Sequence, residues 1–145
     1  MLNNMDKFFE VCARAFIVKD GKILFCKRKE ADYYFFPGGH IDFSEKAEEA
    51  LEREMQEEIG KSISNLKFIG ANENYFNKDG DKHHEFNLVF SGEIPDGEVK
   101  ALEDYLEFAW IDLNFLDQEK IQPIALKNEL QKWLNEKKTF WTSQF

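Results

Sequence analysis

The sequence predicts an α/β fold, with sheet covered by helices on both sides, and three observations predict it. Strand-like segments from Phe8 to Val18, Lys22 to Arg28, Asn65 to Phe76 and His83 to Ile94 enclose one helical segment and precede another. The first two strands are apolar on both faces. Ala15, Ile17 and Leu24 fall on one side, Phe16, Val18, Ile23 and Phe25 on the other, a pattern that asks for cover above and below. At 145 residues, with 43% hydrophobic content and 15 Phe, the chain has enough apolar material for one core. Strands mixed with one early helix and one late one make an α/β sandwich, and no repeat or linker divides residues 1–145 into more than a single domain.

In chain order, Asp20-Gly21 is a hairpin turn signal between the first two strands. A two-residue turn there puts Cys26 opposite Ala15 and points Cys12 to the other face. That leaves these two cysteines, the only ones in the chain, badly placed for a disulfide and suited to the core. Glu30 to Phe36 is a loop with four consecutive aromatics, ended by Pro37. Phe35 and Phe36 are expected to close the core, and Tyr33 or Tyr34 to stack on a planar ligand. Arg14 and Arg28 sit near strand ends, where an arginine either keeps an edge soluble or grips phosphate bidentately. In the strand from His83 to Ile94, His83 and Glu85 share one face while His84 looks the other way. Two histidines so placed do not make a zinc site. Glu107 to Asp112 reads as a short strand, Leu113 to Glu119 as a loop or short helix, and Pro123 as an N1-type start for the last helix. The aromatic tail from Phe140 to Phe145 is left to pack back on the domain or against another subunit.

The informative stretch runs from Gly38 to Lys61. Ser44 is a suitable N-cap and Gly60 a suitable residue just past the C-terminus, so a helix is expected from Glu45 to Ile59. At about 100° per residue, Ala47, Ala50, Leu51, Met55 and Ile59 form its apolar arc. Glu54 and Glu58 fall inside that arc and Glu57 at its edge, whereas Glu48, Glu49 and Glu52 lie outside it or at its far margin. A helix whose acids served only solubility would keep them all on the solvated side. Carboxylates directed at a poorly solvated surface need a strong cation, and Arg53 alone does not balance three of them. Oxygen-only ligation favours Mg²⁺, with Mn²⁺ a possible substitute, and Mg²⁺ commonly completes its shell with water and substrate phosphate.

Gly39, Glu45, Arg53, Glu54, Met55, Glu57, Glu58 and Gly60 stand at the spacing of the Nudix box, and Pro37-Gly38 before it is similar to the family too. Every fixed position of that long motif is matched. Only Lys61 departs from it, where the family usually has an apolar residue. The chain thus resembles the Nudix hydrolases over this stretch. The resemblance implies a Nudix-type α/β/α sandwich with a mixed β-sheet and a catalytic loop-helix-loop. It further implies hydrolysis of the diphosphate linkage in a nucleoside diphosphate joined to some group X, with a nucleoside triphosphate or related nucleotide favoured. Glu54, Glu57 and Glu58 would ligate the metal together with the Gly38 carbonyl, and Arg53 would orient a catalytic carboxylate. Glu45 would be structural or an outer ligand. Many relatives add a carboxylate from outside the box. Gln122 stands about where some have a Glu, so Glu103, Glu107 and Glu119 are the candidates for that role. A non-catalytic module that senses a nucleotide or nucleotide-sugar is the alternative, disfavoured by the intact box.

The net charge of −9 argues against a nucleic-acid partner but not against a phosphorylated small molecule, because a bound cation inverts the local sign. The first residues lack a basic region followed by a long apolar run, and no apolar stretch nears the ~20 residues of a membrane span. The expectation is a cytoplasmic protein, monomer or homodimer, with no membrane contact.

Overall fold

The structure is a computed structural model and describes residues 9–145, so Phe8, the expected start of the first strand, lies outside it. The elements are β1 (Phe9–Phe16), β2 (Val18–Lys19), β3 (Lys22–Arg28), β4 (Gly38–His40), α1 (Ala47–Ile59), β5 (Ser64–Lys78), β6 (Asp81–Glu93), β7 (Leu106–Asp112), a 3₁₀ turn (Leu113–Gln118), α2 (Ile124–Glu136) and β8 (Phe140–Gln144). They build a five-stranded sheet in the order β4-β1-β6-β5-β8 and a three-stranded sheet in the order β2-β3-β7. The larger sheet is mixed, with β1 parallel to β6 and β5 parallel to β8.

The apolar residues divide between two cores as the alternation along β1 and β3 requires. Ala13, Ala15, Ile17 and Leu24 pack with Ala50, Leu51, Met55 and Ile59 of α1. Phe16, Ile23 and Phe25 pack with Leu126 and Leu130 of α2. One helix therefore covers each face of β1, giving the expected α/β/α layering. Leu51, Met55, Leu126 and Leu130 are all fully buried, and each such side chain contributes roughly 1.5–3 kcal/mol.

Three local expectations are corrected. The first concerns the opening hairpin. Asp20 and Gly21 do turn the chain, with φ of 51° and 75°, but only Val18 and Lys19 pair back across the turn, with Ile23 and Lys22. Beyond Ile17 the chain changes sheets, because β1 takes β4 and β6 as neighbours while β3 pairs with β7. Cys26 accordingly lies opposite Phe108 and not Ala15, and both cysteines are buried and free.

The second concerns the start of α1. Ser44 does not cap it: its φ is +68° and the helix begins at Ala47 after Lys46. Acceptors for the leading backbone N–H groups come from glutamates. Glu49 Oε2 accepts from Lys46 N at 3.0 Å and Glu45 Oε1 from Asp42 N at 3.0 Å. Glu45 is drawn out of the first turn because Arg53 grips its carboxylate from both sides. At the other end Gly60 takes φ +66° and donates to Gln56 O, closing α1 as expected.

Third, Pro123 precedes the first residue of α2 and does not occupy its N1 position. The aromatic tail packs back as β8, parallel to β5. Phe140 lies so close over Gly70 that a Cβ there would stand 2.5 Å from the ring.

Candidate active site

Box residues meet at one end of a cleft of about 740 Å³ lined from both sheets and α1. Their placement starts with two glycines. Gly38 has φ +133°, and a Cβ on it would run into the Ala13 carbonyl, so only glycine lets β4 approach β1 this closely. A Cβ on Gly39 would stand 2.6 Å from the Glu54 carboxylate. The bare backbone of β4 thus forms the surface against which the carboxylates of α1 rest.

Arg53 ties the turn to the helix. Its Nε and Nη2 donate to Glu45 at 2.7 and 2.9 Å, its Nη1 to Glu54 at 3.0 Å and to Glu57 at 3.4 Å, and its Nη2 also to the His40 carbonyl at 3.0 Å. This bidentate pairing holds the Glu45 carboxyl down at about 2. The same carboxylates push Arg53 further above its already high value.

Glu54 and Glu58 face the cleft, as the helical arithmetic predicts, while Glu57 is more open, at 54% side-chain exposure against 16% for Glu54. Glu58 is the group under tension. Its Oε2 is buried without a hydrogen-bond partner among the described residues. Desolvation first, then the neighbouring charge of Glu54, raises its carboxyl to about 8. An orphaned carboxylate oxygen beside a second carboxylate is what a divalent cation resolves, and Glu54, Glu57 and Glu58 offer it the hard oxygen donors it prefers. Among the described residues no three His, Cys, Asp or Glu side chains are gathered closely enough to hold a metal ion by themselves. An ion held here would take the rest of its shell from water or substrate oxygens.

The cleft floor is the face of the larger sheet that α2 leaves uncovered. Past Phe16, Val89 and Ile69, this face turns polar. Arg14 Nε donates to Asn87 Oδ1 at 3.3 Å, and Asn87 Nδ2 donates to Asn72 Oδ1 at 3.1 Å and Glu85 Oε1 at 2.9 Å. One register step further, Glu10, Glu85, Asn74 and Gln144 form a row across β1, β6, β5 and β8. Glu10 accepts from His83 at 2.9 Å and His40 at 3.2 Å. Burial raises its pKa, but these two contacts outweigh burial and leave it below its ordinary value.

Of the ligand-contacting candidates, Arg14, Arg28 and Tyr33 line the cleft. Tyr34 does not; it packs on the second core, 6.2 Å from the Phe25 ring. Phe36 is buried as expected, whereas Phe35 forms cleft wall with the Arg14 guanidinium 5.7 Å from its ring. Glu103, Glu107 and Glu119 are not brought to the cleft: Glu107 faces Lys27 at 3.9 Å, and Glu119 follows the 3₁₀ turn and offers its backbone carbonyl to Lys127. The carboxylates that do join Glu54 and Glu58 are Glu10, Asp32 and Glu85. Only Glu85 carried a signal in the sequence, sharing a strand face with His83. Glu10 and Asn74 become visible only through a pairing of distant strands.

A family profile for the NUDIX domain matches residues 9–134. The chain is 32% identical over 129 residues to the ADP-ribose pyrophosphatase of Methanocaldococcus jannaschii, across 86% of this chain and 75% of that protein. It is 32% identical over 108 residues to the nucleoside triphosphatase NudI of Escherichia coli, across 66% of this chain and 76% of that one. Among solved structures, the MutT NUDIX hydrolase of Burkholderia pseudomallei superposes with a TM-score of 0.64 at 28% identity, covering 81% of this chain and 90% of its own. The chain belongs to the Nudix hydrolase family. It is an enzyme of the pyrophosphatase type, and the fold expected from its box is the fold it has.

Proposed function

We propose that this protein hydrolyses, with a divalent cation, a diphosphate linkage in a nucleoside diphosphate joined to a further group, a nucleoside triphosphate or related nucleotide being the favoured substrate. The observation that carries the reading is the unpartnered Glu58 oxygen, buried beside Glu54 at the head of a nucleotide-sized cleft. Glu54, Glu57 and Glu58, with the Gly38 carbonyl, would hold the ion, Mg²⁺ by donor chemistry and Mn²⁺ as a substitute. When bound, it screens phosphate charge and makes water more acidic.

The rest falls to the protein's own side chains. Arg53 fixes the Glu54 carboxylate against Gly39 and keeps the box turn seated on α1. Arg14 and Arg28 line the same cleft and offer their guanidinium groups to the phosphates. Glu58, raised toward neutrality by burial and by Glu54, is the carboxyl whose charge a bound cation would restore. The names of the two relatives point to nucleotides of different kinds, ADP-ribose for one and nucleoside triphosphates for the other.

The test is release of phosphate or pyrophosphate from a panel of triphosphates, their oxidised forms, ADP-ribose, nucleotide sugars, dinucleoside polyphosphates and coenzyme A, with Mg²⁺, with Mn²⁺ and with chelator. Metal-dependent turnover of one class supports the reading and names the substrate. Silence across the panel, alongside tight binding of any member, replaces it with nucleotide sensing. No helix among the described residues is long and apolar enough to cross a membrane. Action in the cytoplasm, as a monomer or homodimer, completes the reading.

A further inference from the structure

The polar floor of the cleft has one flaw. Asn72 and Asn87 are almost wholly buried, at 0% and 1% exposure, and both amide oxygens are paired, that of Asn72 with Asn87 Nδ2 and that of Asn87 with Arg14 Nε. Asn74, the next residue on the same face of β5, is 8% exposed, yet its Oδ1 is buried without any partner among the described residues. A buried amide oxygen left unpaired is costly, and two other amides on this face of the sheet are paired. Asn74 differs from them in lining the cleft. Its surroundings there are mixed, since Glu85 stands directly opposite it in the sheet and lines the cleft as well. Gln144 is next to it in the cross-strand row, Gln122 and Phe76 line the same cleft, and Tyr33 contributes a further ring. The Gln144 Oε1 is already occupied by Ala125 N at 2.8 Å, which fixes that side chain in place.

We propose that Asn74 is the residue that reads the nucleobase, its carboxamide meeting the donor-and-acceptor edge of the ring while the phosphates lie toward Arg14 and the box carboxylates. Neutral amides set among aromatic rings are the groups that recognise a flat heterocycle, since a carboxamide offers a donor and an acceptor side by side. Glu85, directly across from Asn74 in the sheet and also lining the cleft, adds an acceptor beside the carboxamide on the base side of the ligand. This assignment rests on the nucleotide-hydrolase reading above and supplies the specificity that reading leaves open.

The test is calorimetric binding, in Mg²⁺, of the α,β-methylene diphosphates of adenosine, guanosine, cytidine and uridine, with methylenediphosphonate as the base-free probe. The native protein binds at least one nucleotide analogue about tenfold or more tightly than the base-free probe. In Asn74→Leu that advantage disappears and the differences among the four bases flatten, while affinity for methylenediphosphonate is unchanged. Asn74→Ala, which removes the amide without adding bulk, gives the same loss. Removal of an unpaired group leaves the melting temperature of the unliganded Leu variant at or above that of the native protein. Equal losses on nucleotides and on the base-free probe, or no loss on either, overturn the assignment, as does a native protein that binds both kinds of probe alike. Base-dependent binding lost in the variants, in a protein that turns over no nucleotide, sustains the assignment and defeats the hydrolase reading instead.

Discussion

Glu58 shows how a single side chain links fold to chemistry. Met55 and Ile59 must face the first core, and helical geometry then carries Glu58 to the same side, where water is scarce. Burial and the adjacent Glu54 raise its carboxyl from an ordinary 4.5 to about 8. The native state thus binds a proton that the unfolded chain has released, so its stability falls as pH rises between those two values. In chelator, the melting temperature should decline from about pH 4.5 to about pH 8 through this group. Glu58→Gln, uncharged throughout, should flatten that decline and melt higher than the native protein at pH 8. A native profile that is flat across this window contradicts the burial argument. Mg²⁺ should reverse the effect and release protons as it binds near neutral pH, a signal readable in buffers of differing ionisation enthalpy.

At the scale of the element, β4 and α1 act as one unit whose clearance is set by Gly38 and Gly39. The two glycines fail differently when substituted. Gly38→Ala forces a side chain into the Ala13 backbone at φ +133°, and should cost about 2 kcal/mol or more of stability. Gly39→Ala meets only the far end of the Glu54 side chain, not backbone. It should leave the melting temperature nearly unchanged while lowering turnover about tenfold or more by displacing that carboxylate. Loss of stability in Gly39→Ala equal to that in Gly38→Ala would contradict the distinction.

The box was legible in sequence because its parts are local: the spacing of Glu54, Glu57 and Glu58 along one helix fixes their faces with no tertiary information. Ser44 does not open the same helix because Arg53, eight residues on from Glu45, takes the Glu45 carboxylate and unwinds the first turn. A local propensity rule does not contain that contact.

The whole molecule is held by pairings between segments far apart in sequence, and these set the limits of a sequence reading. Two faces of the first strands are separable from alternation alone, and they belong to two cores, save Val18, which is exposed. Which strands pair is not legible there, so the opening hairpin is shorter than alternation suggests, and the cross-strand row joining Glu10 to Asn74 has no signature in the sequence. The carboxylates proposed from outside the box, Glu103, Glu107 and Glu119, were nominated by position in the chain, whereas the sheet register delivers Glu10 and Glu85 to the cleft. The aromatic tail has its place through the same long-range logic: β8 covers the edge of β5, with Phe140 packed on Gly70 and stacked 6.2 Å from Phe16. Phe140→Ala should therefore cost about 3 kcal/mol, seen as a lowered denaturant midpoint with an unchanged slope, and an unaltered midpoint would show that β8 adds nothing.

The central claim is that Glu54 and Glu58, which face the cleft, and the more open Glu57 beside them carry out metal-dependent hydrolysis. Its most direct measurement is kcat/KM for Glu57→Gln, Glu58→Gln and Glu49→Gln, at saturating Mg²⁺, on the nucleotide turned over best. Glu49 is the internal control, because it caps the helix through an acceptor oxygen that glutamine retains. The account predicts a fall of about a hundredfold or more for the first two with the fold intact, and little change for the third. Near-native turnover in both Glu57→Gln and Glu58→Gln would contradict it.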